Sequence, residues 1–197
     1  MCAAITIPAP GDALLIVDVQ QDFLPGGALA VAGGDAVVAP LNRCAAVFAS
    51  HGLPVLATRD WHPPDHCSFA ARGGPWPPHC VAGTPGAAFA AGLRLPAGAE
   101  IISKATGPDA DAYSGFQGTE LAARLRVHDV RRVLIGGLAT DYCVRATALD
   151  ALAAGFGVVV LADAVRAVDV QAGDGARALA ELAARGAVIH AVAEATP

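Results

Sequence analysis

Leu14-Leu15-Ile16-Val17-Asp18-Val19 is a short apolar run, rich in β-branched residues and bounded by turn formers. Such a run reads as a buried strand. Segments of the same kind recur at 53–58, 101–103, 132–136, 158–162 and 188–192. Helical patterns fall between them at 35–51, 117–126, 141–154 and 171–185. Asp35 is placed to cap the first helix, Gly52 to close it, and Pro40 is tolerable in its first turn. Strands alternating with helices imply right-handed βαβ units and an α/β fold with a mostly parallel sheet. Val158-Val159-Val160-Leu161 is apolar on both of its faces, so the sheet is expected to be covered on both sides.

With 197 residues, the chain has the length of a single domain with a sizeable core. Hydrophobic residues make up 54% of it and the mean hydropathy is +0.49, but alanine supplies much of that excess. No run approaches a membrane span, and residues 13–17 lead straight into Asp18. The N-terminus lacks the basic region and apolar core of a signal peptide. A net charge of −5 with no basic stripe argues against nucleic acid as a partner. Five cysteines is an odd number, and a chain of this length needs no disulfide staples, so free thiols in a reducing cytoplasm are expected.

The long irregular stretch begins at Asp60-Trp61-His62, passes His66, and reaches Trp76-Pro77-Pro78-His79-Cys80. Three of the six histidines, five of the fourteen prolines and both tryptophans lie here. Proline on this scale rules out a regular helix. The stretch reads as a stiff loop that holds imidazoles near a carboxylate, a donor set suited to Zn²⁺, Fe²⁺ or Mn²⁺. Asp60 and His62, two apart, point to one side of an extended chain. Cys67 and Cys80 offer an alternative, a structural zinc site using both thiols. Trp61 and Trp76 are either ordinary packing or walls of a pocket for a flat ligand.

Ligands of open α/β sheets bind beyond the carboxyl ends of the strands. Reading each strand to its end collects Asp18, then Asp60 with the histidine loop, then Lys104, then the segment leading to Cys143. Cys143 falls in the first turn of a helical pattern, where unpaired backbone N–H groups and the dipole favour a thiolate. A neighbouring Lys104 would add to that, and Asp18 could take the thiol proton and later activate water. Each residue also has a plainer reading: buried cysteines are often inert apolar groups, and a strand-end Asp can cap a helix.

Asp18-Val-Gln-Gln-Asp22-Phe23, Thr58-Arg-Asp60-Trp-His62, Trp76-Pro-Pro-His79-Cys80, Lys104, Tyr113-Ser-Gly-Phe116 and Gly137-Leu-Ala-Thr-Asp-Tyr-Cys143-Val-Arg together resemble the nicotinamidase/pyrazinamidase family of isochorismatase-like cysteine hydrolases. The resemblance runs in order over nearly the whole chain. It implies a three-layer, Rossmann-like sheet of six strands with helices on both faces. It also implies a catalytic triad of Asp18, Lys104 and Cys143. One divalent transition metal ion (Zn²⁺, Fe²⁺ or Mn²⁺) would be held by Asp60, His62 and His79, with His66 at a position that varies within the family. Phe23, Trp76 and Tyr113 would line an aromatic pocket. The Leu138–Ala139 bond would be cis, and the N–H groups of Ala139 and Cys143 would form the oxyanion hole. Gly107-Pro108-Asp109 departs from the family pattern near the pocket's lid.

The activity so implied is hydrolysis of nicotinamide to nicotinate and ammonia, and of pyrazinamide to pyrazinoate, through a cysteine thioester. A small molecule would be the partner, not nucleic acid or membrane, with the chain a monomer or small homo-oligomer in the cytoplasm. The alternative is another isochorismatase-like amidase acting on a carbamoyl or ureido substrate; such relatives generally lack the full metal loop. A catalytically silent metal-binding or scaffold protein is a third reading, against which the intact triad stands.

Overall fold

A computed structural model describes residues 8–191. Six strands form one sheet: β1 (Asp12–Val17), β2 (Val55–Asp60), β3 (Glu100–Lys104), β4 (Arg132–Leu138), β5 (Gly157–Arg166) and β6 (Val188–His190). Their order is β3-β2-β1-β4-β5-β6, and every pairing is parallel. The expected mostly parallel sheet is thus wholly parallel among the described residues. The helices are α1 (Val38–Ser50), α2 (Leu121–Val127), α3 (Arg145–Ala153) and α4 (Asp174–Ala184).

Strand alternation divides the core. Leu14 and Ile16 pack with Leu41 and Phe48 of α1 on one face. Ala13, Leu15 and Val17 pack with Leu121 and Leu125 of α2, Ala148 of α3 and Leu182 of α4 on the other. Each fully buried leucine contributes roughly 1.5–3 kcal/mol. The run that opens the sequence is therefore apolar throughout because both faces of its strand are covered.

Several element limits differ from the sequence expectation, each for a local reason. Asp35 does not cap α1: a 3₁₀ turn over Gly34–Val37 precedes it, entered from Gly33 in the left-handed region. Pro40 lies in the first turn of α1, as expected. The helix expected from 117 starts only at Leu121, after Gly118 at φ +66°. Its first turn is held by the Thr119 hydroxyl, which accepts from the Leu121 N–H at 3.2 Å. The helix expected from 141 opens as a π-helical turn, Thr140–Val144, and becomes α-helical only at Arg145. The helix expected at 171 begins at Asp174, after Gly173 in the left-handed region. The last strand ends at His190; Val192, included in the expectation, lies outside the described residues.

The strand order reverses between β1 and β4, which opens a crevice at their carboxyl ends. Gly137 makes this junction possible. Its φ is +129°, and a Cβ there would lie 2.0 Å from the Val17 carbonyl oxygen. Only a residue without a side chain lets β4 run this close to β1.

Candidate active site and metal centre

Three strand ends deliver the charged groups. Asp18 follows β1 at φ +48°, a left-handed conformation that Asp tolerates, and is wholly buried. Asp60 ends β2 and Lys104 ends β3, and the register sets the two opposite each other. Cys143 lies in the π-helical turn after β4 and is 7% exposed. The Leu138–Ala139 peptide bond just before that turn is cis.

Lys104 is the hub. Its Nζ donates to Asp60 Oδ1 at 2.5 Å, to the Ala112 carbonyl at 2.9 Å and to Cys143 Sγ at 3.5 Å. Asp18 Oδ2 forms an ion pair with the same Nζ at 3.0 Å. The other Asp18 oxygen accepts from the Thr58 hydroxyl at 2.7 Å. Asp18 is therefore held by Thr58 through one oxygen and faces Lys104 with the other.

Burial, opposed by Lys104 and assisted by the charge of Asp60, raises the Asp18 carboxyl to about 6. Burial works against the Lys104 ammonium, but Asp18, Asp60 and Cys143 together hold it well above its ordinary value. Burial likewise pushes the Cys143 thiol well above its usual range, and the nearby lysine does not offset it. This direction runs against the thiolate that a helix start and a nearby lysine were expected to favour.

The histidine loop closes on itself through isolated bridges rather than strands. His62 pairs with Val81: its N–H donates to the Cys80 carbonyl at 3.0 Å, and its carbonyl accepts from the Ala82 N–H at 2.8 Å. That pairing carries His79 back to His62, with ring centroids 4.9 Å apart. One ligand atom each of Asp60, His62 and His79 lies within 4.8 Å of the others. The donor set fits a divalent transition metal. His62 Nδ1 faces the Ala105 carbonyl at 3.2 Å and His79 Nδ1 the Pro77 carbonyl at 2.8 Å. Each backbone acceptor claims an Nδ1–H and leaves Nε2 as the lone-pair donor, the usual way a protein orients metal-binding imidazoles. Burial, opposed by Asp60, lowers His62 to about 4, so it is neutral and ready to ligate.

His66 is not brought into this trio. Its Nδ1 is 2.7 Å from the Ser68 hydroxyl and its Nε2 is 3.2 Å from the Ala110 carbonyl, while its ring stacks on His62 at 4.1 Å. Cys67 and Cys80 also join no cluster of potential ligands among the described residues. The second such cluster, Asp18, Asp60 and Cys143, surrounds the Lys104 ammonium, which already supplies the positive charge. Asp60 belongs to both clusters: Oδ1 receives Lys104, and Oδ2 lies 3.8 Å from His62 Nε2.

A cavity opens beside the two clusters, lined by Cys143 of one and by Asp60 and His79 of the other. Phe23, Trp76 and Tyr113 line it, beside Asp60, His79, Ala139 and Cys143. Trp76 Nε1 donates to the Tyr113 hydroxyl at 3.0 Å, which braces one wall. Trp61 is not part of the cavity; the Arg59 guanidinium lies over its ring at 3.7 Å. Sequence reasoning missed Leu29, Val31, Tyr142 and Val168 on the lining. Tyr142 was legible from its place beside Cys143; the other three are ordinary aliphatics with no signal of their own. Gly107-Pro108-Asp109 latches the histidine loop. The Pro108 carbonyl accepts from the Cys67 N–H at 2.8 Å, and Asp109 pairs with Arg72.

Residues 12–194 match the isochorismatase domain family. A nicotinamidase of Escherichia coli (strain K12) is 40% identical over 206 residues, covering 94% of this chain and 97% of that protein. Among solved structures, pyrazinamidase of Pyrococcus horikoshii in complex with zinc is 54% identical with a TM-score of 0.89, covering 92% of this chain and 99% of that one. PnC1 from L. infantum in complex with nicotinate is 40% identical with a TM-score of 0.86, covering 98% of both chains.

Proposed function

This chain belongs to the isochorismatase family, and from there we propose that it hydrolyses nicotinamide to nicotinate and ammonia, and pyrazinamide likewise. The observation that carries the reading is one aromatic cavity lined by Cys143, which Lys104 contacts beside Asp18, and by Asp60 and His79, two members of the Asp–His–His trio. The nicotinamidase relative, the zinc-bound pyrazinamidase and the nicotinate-bound neighbour support the substrate and the metal. The whole activity resides in one domain, acting on a small molecule as a monomer or small homo-oligomer. Free thiols at Cys44, Cys67, Cys80 and Cys143 accord with a reducing cytoplasm.

Asp60, His62 and His79 would hold a divalent metal, which would supply a Lewis-acidic anchor for the pyridine ring nitrogen. His66, with both nitrogens engaged, steadies His62 by stacking instead of ligating. Phe23, Trp76 and Tyr113 flank the ring and exclude water. The carboxamide carbon then faces Cys143. Asp18 Oδ2 takes the thiol proton as Sγ bonds to that carbon, and the N–H groups of Ala139 and Cys143 receive the oxyanion. Asp18 returns the proton to the departing nitrogen, ammonia leaves, and a thioester remains. Asp18 then draws a proton from water as its oxygen attacks the thioester, and nicotinate departs as the thiol re-forms. Lys104 keeps its charge throughout and stabilises each anionic state.

Two measurements test this reading. Zinc-loaded protein is expected to release ammonia from nicotinamide, to lose that activity on chelation and to regain it on adding zinc back. Activity indifferent to metal removal sinks the anchoring role; ammonia from carbamoyl or ureido amides but not from nicotinamide sinks the substrate. The second is a pH profile at saturating metal. Only the Asp18 carboxylate can accept the thiol proton, and its carboxyl sits at about 6. Thus kcat/KM is expected to fall roughly tenfold for each pH unit below that value and to level off above it. A profile flat down to about pH 4.5 would exclude Asp18 as the base.

A further inference from the structure

Asp60 serves two clusters at once, so its placement needs to be exact, yet its strand loses a neighbour just where it ends. The β1–β2 pairing runs to Val17 opposite Thr58, after which Asp18 turns left-handed and the β1 backbone departs. The Gln20 side chain fills the gap. Its Oε1 accepts from the Asp60 N–H at 2.8 Å, and its Nε2 donates to the Asp60 carbonyl at 2.8 Å. The same Nε2 donates its second hydrogen to the Ala87 carbonyl at 3.0 Å, in the turn that follows the histidine loop. Gln20 is wholly buried. Its amide thus replaces the missing strand peptide, pairs with both backbone groups of Asp60, and ties them to the far end of the loop.

We propose that Gln20 is a positioning residue for the metal centre: its amide fixes the Asp60 backbone so that one carboxylate points Oδ1 at Lys104 and Oδ2 at the histidines. This rests on the metal reading above but not on the substrate. Methionine matches glutamine in length and shape but can neither donate to nor accept from a backbone group in this way. It would leave the Asp60 N–H and carbonyl buried and unpaired, free to twist toward other partners.

The test is made on the full-length protein, stripped and reloaded, comparing wild type with Gln20→Met. Zinc affinity is read by competition with a chromophoric chelator, and ligand geometry by the visible absorption of the cobalt(II)-substituted protein. Gln20→Met is expected to weaken zinc binding about 10- to 100-fold, the usual effect of losing a group that orients a ligand. Its cobalt bands should change in position or intensity. A change in packing alone would lower the melting temperature of the metal-free protein and leave the cobalt spectrum as it was. Should Gln20→Met not fold, Gln20→Glu keeps the length and the acceptor but turns an oxygen toward two carbonyls, and the same loss is expected. Wild-type zinc affinity and an unaltered cobalt spectrum in either variant overturn the proposal. A wild-type protein that takes up no zinc overturns the metal reading and this inference with it. Zinc uptake without nicotinamide hydrolysis would count against the substrate alone.

Discussion

Cys143→Ala is expected to lower ammonia release from nicotinamide by about four to six orders of magnitude, as loss of a nucleophile does elsewhere. The size of the effect follows from the geometry. Cys143 Sγ is the one atom of the cluster placed to bond to carbon, because Lys104 is held protonated and Asp18 is walled in by Thr58 and Lys104. Removing Sγ leaves the aromatic lining of the cavity and the Asp60–His62–His79 trio in place. Affinity for nicotinamide, read by calorimetry on zinc-loaded protein, should therefore stay within a few-fold of wild type while turnover disappears. Rapid-quench mass spectrometry of the wild type should also show an acyl-enzyme on Cys143. If Cys143→Ala retained full ammonia release, the covalent route would be wrong and direct attack by water would replace it. Cys143→Ser should be nearly as inactive, because a hydroxyl is a far weaker acid than a thiol and the base available is only a carboxylate.

Lys104→Met is expected to damage stability and catalysis together. Lys104 is 1% exposed and faces two carboxylates, a thiol and a backbone carbonyl. Methionine fills the space of its stem but leaves Asp18 and Asp60 buried without their cation. Breaking a buried pair from one side costs about 3–5 kcal/mol, since the charge left behind keeps its desolvation penalty. Urea denaturation of the metal-free variant should show a loss on that scale. Asp18, already raised to about 6 by burial, loses the charge that held it down and rises further. The acidic limb of kcat/KM should accordingly move toward alkaline pH, and activity at neutral pH should fall by several orders of magnitude. A variant with wild-type stability and an unmoved limb would show that Lys104 is a bystander. A partial effect on zinc affinity is also expected, because Lys104 holds the other oxygen of Asp60.

The two variants probe one arrangement from opposite sides. Cys143→Ala removes the reacting atom and spares the electrostatics; Lys104→Met removes the electrostatics and spares the atom. Both depend on Asp18, whose second carboxylate oxygen is buried and faces the Lys104 ammonium at 3.0 Å. Asp60 places one oxygen on each cluster and so joins them without an intervening residue.

The legible part of this protein was the part written in local patterns. Apolar runs such as Leu14–Val17 and Val158–Leu161 identified strands buried on both faces, and alternation with helices identified a parallel sheet. Because a parallel sheet places its ligands at strand ends, the sequence alone picked out Asp18, Asp60, Lys104 and Cys143 as neighbours. The crowding of His62, His66 and His79 among prolines marked the other wall. What only the tertiary structure decided depends on groups far apart in sequence meeting in three dimensions. The bridge between His62 and Val81 selects His79 as a companion of His62, while Ser68 and Ala110 engage His66. Gln20 reads as one more polar residue until the departure of β1 shows which strand its amide completes. The Cys143 thiol illustrates the general reason. A turn start and a nearby lysine are visible in sequence and favour the thiolate; the burial that outweighs them is a property of the whole packed interior, and no local pattern encodes it.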